Sequence, residues 1–259
     1  MALDEFRGQW KQLVRSAGIV GAGIAVVDGD RVVFADSEGL AEAAAARPVD
    51  DHTIFHWASI TKTFTAVAIL QLRDRGRLSL GDPVVRHLPE LRAVHAPHGP
   101  VEAITIRHLL SHSAGFRSPT WPWGGHKPWH PFEPTSWAQL VAMLPYTEVE
   151  FPPGSRFLGG EDLEVSVEKH CRRPRGMRET SGAAPPPYRL AHKSHSYAVR
   201  DGVRTERPFD PDTGVTVSNG GLNAPVSDLA KWVAFLVGRP ADAARRNRYD
   251  TVLARRSLE

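Results

Sequence analysis

The sequence has a single cysteine, Cys171, in 259 residues. That excludes an intramolecular disulfide framework, and no residues near Cys171 offer the spacing of a metal site. No stretch approaches the ~20 consecutive apolar residues that cross a bilayer as a helix. At the start, Met1-Ala2-Leu3-Asp4-Glu5-Phe6 has acidic residues where a secretory leader needs a basic flank and an apolar core. The expected location is therefore the cytoplasm, with the cell envelope as the alternative. An excess of one charge is lacking too: 32 Lys and Arg stand against 29 Asp and Glu, net +3, with the two signs interspersed. A nucleic-acid binder clusters basic residues with aromatics, so nucleic acid is set aside as a partner.

Apolar residues are plentiful. At 41% hydrophobic content the chain can bury a sizeable core, as one large domain or two coupled lobes. Residues 3–17 read as an amphipathic helix with Leu3, Phe6, Trp10, Leu13 and Val14 on one face, packed across a sheet. Val20 to Val27 and Arg31 to Ala35 are apolar runs joined by Asp28-Gly29-Asp30, a hairpin signal. Residues 42–48 read as a loop. The run from Ile60 to Leu72 is apolar nearly all round and stops at Arg73-Asp74-Arg75-Gly76, where Gly76 suits the C′ position of a buried central helix.

Ser59 and Lys62 stand at the front of that helix. Residues three apart share a helix face, so the Lys62 amine can reach the Ser59 hydroxyl. Apolar neighbours and the positive end of the helix dipole both disfavour an ammonium there. A neutral Lys62 could activate Ser59 for attack on a carbonyl. The bland alternative makes Ser59 a helix cap and Lys62 a solvated first-turn residue.

Ser59-Ile60-Thr61-Lys62 is followed by Gly76-Arg77-Leu78-Ser79-Leu80-Gly81-Asp82-Pro83-Val84, Leu88-Pro89-Glu90, and Ile104 to Phe116 with Leu109-Leu110-Ser111-His112-Ser113-Ala114-Gly115. This order closely resembles the serine beta-lactamase and penicillin-binding-protein superfamily, nearest its class C-like branch of esterases, D-aminopeptidases and DD-peptidases. The resemblance covers most of residues 18–158 and resumes at Gly176 to Thr180 and Ser218 to Gly238. It implies that Ser59 is the acylated nucleophile, that Lys62 is its general-base partner, and that an ester, amide or peptide is hydrolysed without metal or organic cofactor. It also implies an α/β (α+β) fold of beta-lactamase/transpeptidase-like type: an antiparallel sheet flanked by helices, plus an all-helical lobe. The expected layout is one domain over 1–259, with an N-terminal helix and hairpin in 1–58, a mainly helical lobe in 59–180, and a linker, hairpin and C-terminal helix in 181–259.

Two departures qualify the resemblance. Relatives follow Pro-Gly-x-x-Phe at once with Tyr-x-Asn; here Phe157 leads into Leu158-Gly159-Gly160-Glu161. Tyr146, Tyr188 and Tyr197 have no asparagine two residues later, so none takes the tyrosine role. The third motif, Lys-Thr-Gly or His-x-Gly, has no counterpart before Glu259, so the expected fold has its C-terminal strands missing. One oxyanion donor would then be lost, worth ~3 kcal/mol in comparable sites. A two-stranded sheet is marginal in water, and an uncovered apolar face favours self-association. The alternatives to an active hydrolase are a catalytically impaired pseudoenzyme or binding protein, and a truncated non-functional copy.

The remaining stretches carry weaker signals. Ser118 to Pro134 interleaves tryptophans with prolines, and Trp123 or Trp129 is expected to touch the substrate. His126 and His130 lack an acidic or cysteine ligand at suitable spacing, and His108 and His112 lack the Glu of His-Glu-x-x-His, so they read as packed or solvated. Metal is therefore not expected. Trp137 to Leu144 reads as a helix and Gly160 to Thr180 as a charged amphipathic one. Residues 181–187 read as a linker and Tyr188 to Val203 as a polar hairpin turning at Asp201-Gly202. Ser218 to Gly221 reads as a glycine-rich turn into a helix capped by Ser227 or Asp228, and an arginine-rich helical stretch follows from Ala241.

Overall fold

The computed structural model describes residues 3–117, 134, 136–157, 177, 179–182, 185–207, 217–238, 240 and 242–258. In chain order the helices are α1 (Leu3–Ser16), α2 (Thr61–Asp74), α3 (Ile106–Leu110), α4 (Trp137–Met143), α5 (Pro187–Leu190), α6 (Val217–Gly220), α7 (Val226–Val237) and α8 (Ala243–Asp250). The strands are β1 (Gly21–Asp28), β2 (Arg31–Glu42), β3 (Arg47–Pro48), β4 (Phe55–His56), β5 (Ser196–Arg200), β6 (Val203–Arg207) and β7 (Asn223–Ala224). They fall into two compact units, one from 1–58, 166–212 and 221–259, the other from 59–165 and 213–220.

In the first unit β1, β2 and β3 form an antiparallel sheet in that order. The Asp28-Gly29-Asp30 hairpin is present, and β2 runs on to Glu42, beyond the apolar stretch that marks it in the sequence. Side chains alternate between faces along a strand. Phe34, Asp36 and Glu38 therefore share one face of β2, and that face receives α1. Phe6 meets Phe34 edge-on at 5.4 Å, while Arg7 and Lys11 reach Asp36 and Arg15 reaches Glu38. The i, i+4 spacing of 7, 11 and 15 matches the i, i+2 spacing of the two acids. This corrects the expected apolar face of α1: Leu3 and Leu13 are exposed, and only Val14 of the helix is buried. Ion pairs do part of the holding that periodicity assigns to leucines. Gly39, at φ +81°, pairs with Gly21 where a Cβ on either would collide with backbone oxygen, which fixes the close crossing of the two strands.

The opposite face receives α7, whose Val226 side chain lies against Gly23. Trp232 and Phe235 meet with tilted rings at 5.1 Å, and Phe235 meets Tyr249 of α8 edge-on at 5.6 Å. Asp242 caps α8 by accepting from the Ala244 and Arg245 N–H groups. Arg245 is in turn paired with Asp30 at the hairpin turn, 2.6 Å away.

The cap expected on α7 is different in the structure. Pro225 holds the cap position with no side-chain hydrogen bond, and Asp228 turns inward, 2% exposed. It accepts from the Glu179 N–H and the Thr180 hydroxyl, both at 3.0 Å, and from Lys231 at 2.7 Å. The reason is that the first-turn N–H groups of α7 compete with two donors brought in by residues 179 and 180. The linker expected from 181 begins with a residue that is paired: Ser181 exchanges both backbone hydrogen bonds with Asn223. Tyr188 lies in the short α5, so the polar hairpin is β5–β6, turning at Asp201-Gly202.

The second unit is built on α2. Phe64 is fully buried, and Val67 and Ile69 are buried. Its C-terminus is a Schellman closure: the Gly76 N–H bonds the Arg73 carbonyl and the Arg77 N–H the Leu72 carbonyl, with Gly76 at φ +66°. Around it Val84, Val85, Val94, Ile104, Ile106 and Val149 make the core. Thr105 and His108 form a reciprocal cap on α3, and Ser136 caps α4. The charged helix expected over 160–180 and the Trp-rich loop fall almost wholly outside the described residues. Among the described residues no helix is long and apolar enough to cross a membrane.

Candidate active site

The residues that precede Ser59 are held within the first unit. In the first unit β4 pairs with β7. Trp57 is 5% exposed, donating its N–H to the Leu222 carbonyl and its indole Nε1 to the Ala224 carbonyl. Ala58 then takes φ +45°, a left-handed conformation that costs a residue with a Cβ of order 1 kcal/mol.

A single 3₁₀ turn, Ala58–Ile60, leads into α2 in the second unit. Ile60 occupies the cap position, with no side-chain cap hydrogen bond. The Ser59 hydroxyl is therefore not spent on capping. It is exposed, and the Lys62 Nζ donates to its Oγ at 3.1 Å. Lys62 itself is half-buried in the first turn of α2.

Beside Lys62 a cleft of about 260 Å³ opens within the second unit. His112 lines it, with φ +54°. Burial first, and the Lys62 charge second, hold the His112 imidazole below its ordinary value. The Phe157 ring lies 5.4 Å from His112. The Thr65 hydroxyl donates to the Ser218 carbonyl at 2.7 Å, and both residues line the same cleft. The spacing of His112 and the glycines after Ser218 do not disclose this grouping. The available signal is weak: histidine is among the few non-glycine residues enriched in left-handed conformations.

The other residues singled out from the sequence fall elsewhere. Trp123 and Trp129, like His126 and His130, lie outside the described residues. Tyr146 and Tyr188 are well exposed, and the Tyr197 hydroxyl accepts from the Ala43 N–H. The His108 ring accepts from the Thr105 N–H in the α3 cap. In the first unit His56 Nδ1 lies 3.2 Å from the buried Asn223 Oδ1. Burial is the main cause holding His56 below its ordinary value, the Lys193 charge adding to it and the Asn223 contact opposing it. Among the described residues no three His, Cys, Asp or Glu gather as a metal site would need.

A serine and lysine bonded at the head of a buried helix, entered through a strained residue, suit acyl transfer. The beta-lactamase family model matches residues 6–257. The chain belongs to the beta-lactamase family. Esterase EstB of Burkholderia gladioli is 28% identical over 91% of this chain and 72% of its own length. Among solved structures, the octameric penicillin-binding protein homologue from Pyrococcus abyssi matches with a TM-score of 0.74 and 22% identity, covering 100% of this chain and 59% of that one. The D-alanine carboxypeptidase AmpC from Burkholderia cenocepacia matches at 0.71 and 22%, covering 97% and 69%. The fold is thus the beta-lactamase/transpeptidase-like one, mixed helices with antiparallel sheet, and this member of the family spans about three fifths to three quarters of these relatives.

Proposed function

We propose that this family member is a serine hydrolase that cleaves an ester or amide through an acyl-enzyme on Ser59. The supporting observation is the 3.1 Å contact between Lys62 Nζ and Ser59 Oγ. Once it has given a proton to solvent, Lys62 accepts the Ser59 proton as Oγ bonds to the substrate carbonyl carbon. The proton passes to the departing alkoxide or amine as the bond to the leaving group breaks. A water then repeats the sequence on the acyl-enzyme, releasing the acid and restoring Ser59. The similarity to an esterase supports an ester as the first substrate to try.

The test is intact-protein mass after exposure to a fluorophosphonate and, separately, to a penicillin. A stoichiometric adduct that is absent in Ser59→Ala and slower in Lys62→Ala is the expected result. No adduct on a cooperatively melting protein refutes the assignment.

A second reading is a binding protein that acylates without turning over, favoured by the absence of Tyr-x-Asn after Phe157. An adduct with penicillin that persists for hours, alongside no steady-state ester hydrolysis, distinguishes it. The octameric relative extends the proposal to self-association, for which sedimentation of the full chain should give a mass well above 28.5 kDa.

A further inference from the structure

The cleft beside Lys62 is a long groove with one polar end. On one side it follows a single stripe of α2: Lys62, Thr65, Ala66, Ile69 and Leu72 line it. Their spacing keeps them on one helix face, and ten residues of helix extend about 15 Å. Among the described residues the facing wall is mainly aliphatic, from Leu78, Val84, Leu88, Ile106, Leu109 and Leu110. No Phe, Tyr or Trp is among its described lining residues. The polar contributions gather where α2 begins, from Lys62, Thr65, Ser218 and His112; His87, the other polar residue of the wall, is engaged with Asp82 at 3.0 Å. At about 260 Å³ the space falls just below the ~300 Å³ at which sites for drug-sized ligands begin.

A narrow apolar groove that starts at the lysine bonded to Ser59 suits one part of an ester. We propose that it receives an unbranched aliphatic acyl chain, so that the substrates are esters of linear alkanoic acids longer than acetate. This rests on the acyl-enzyme reading of Ser59. The carbonyl carbon bonds Ser59 Oγ, and the chain attached to it runs past the Lys62 stem along Ala66, Ile69 and Leu72. Water in the groove is displaced by methylenes, and the hydrophobic gain falls on acyl chain length. Spread along about 15 Å of helix, about 260 Å³ has the cross-section of a methylene chain rather than of an aromatic ring.

The test uses two phosphonofluoridates with the same leaving fluoride, one with a methyl and one with an octyl chain on phosphorus. Each displaces fluoride by bonding phosphorus to Ser59 Oγ, and labelling is read by intact mass over time. The octyl reagent should label the full-length protein at least tenfold faster, since each methylene the groove accepts is worth about fourfold. Two variants narrow the groove: Leu109→Trp strongly and Ala66→Leu mildly. Each should bring the octyl-to-methyl ratio down, the tryptophan nearly to one; if Leu109→Trp fails to melt cooperatively, Ala66→Leu carries the comparison. Hydrolysis of p-nitrophenyl octanoate against p-nitrophenyl acetate should change in the same direction. Equal labelling by both reagents in the unaltered protein, or an octyl preference untouched by the narrowing variants, overturns the groove assignment while leaving Ser59 as nucleophile. No labelling by either reagent overturns the serine reading itself, and the substrate class with it.

Discussion

Replacing Asp228 by alanine should be among the most damaging single changes outside the candidate site. Its carboxylate is 2% exposed and Thr180 is fully buried. Oδ2 accepts from both the Glu179 N–H and the Thr180 hydroxyl at 3.0 Å. Hydrogen bonds to a charged group are worth about 1.5 to 3 kcal/mol each, and the substitution removes two. The Lys231 side chain is 42% exposed, so loss of its pair adds no more than about 1 kcal/mol. The sum is about 3 to 7 kcal/mol, against about 5 to 15 kcal/mol for a whole domain. In a chain of this size that corresponds to a melting temperature lowered by roughly 10 to 20 °C. Thermal unfolding followed by circular dichroism measures it. Asp228→Asn, which keeps an acceptor for the two donors, should lose less than half as much. Thr180→Val should cost less in the Asp228→Ala background than alone, because the partner is already gone. An alanine variant that melts within about 1 kcal/mol of the parent would refute the network as a support of the first unit.

Ala58 and His56 supply two more tests. At φ +45° Ala58→Val should destabilise by about 1 to 2 kcal/mol, since a β-branched residue is a still worse occupant of the left-handed region, while Ala58→Gly should be neutral or stabilising by up to about 1 kcal/mol; denaturant midpoints at equal slope decide it. The folded value of His56 is depressed by burial, so between that value and the ordinary ~6.5 the unfolded chain binds a proton that the fold does not. Stability should therefore be full above about pH 7 and fall as the pH drops towards 5, with His112 contributing in the same direction. In His56→Gln the decline between pH 7 and 5 should be shallower, and an unchanged decline would remove His56 from the cause.

The outline of both units is legible from short-range rules. The apolar run and its glycine stop locate α2 to within two residues at each end, because the Schellman closure at Gly76 is local chemistry. The Asp-Gly-Asp turn locates the hairpin for the same reason. What is not legible depends on partners distant in sequence. Leu3 and Leu13 look buried because periodicity cannot show that Asp36 and Glu38 will draw Arg7, Lys11 and Arg15 to the sheet. Asp228 looks like a cap because residues 179 and 180 are far away in the chain. At the candidate site, Ser59 and Lys62 are readable because they are three apart in sequence, across the single turn that leads into α2. His112, Thr65 and Ser218 cannot be grouped that way, since it takes the fold to bring 65, 112 and 218 around one cleft.

The first unit is assembled from three separated stretches, and this has a consequence in time. The hairpin turn at Asp30 is paired with Arg245 across 215 positions, and β4 waits for β7 as its strand partner. At about 5 to 20 residues per second of synthesis, roughly 10 to 40 s pass between the emergence of the hairpin and that of its helical cover. During that interval the β1–β2 face that will receive α7 is open to solvent and to other nascent chains. The yield of folded protein should therefore depend on translation speed and chaperone supply more steeply than its final stability suggests.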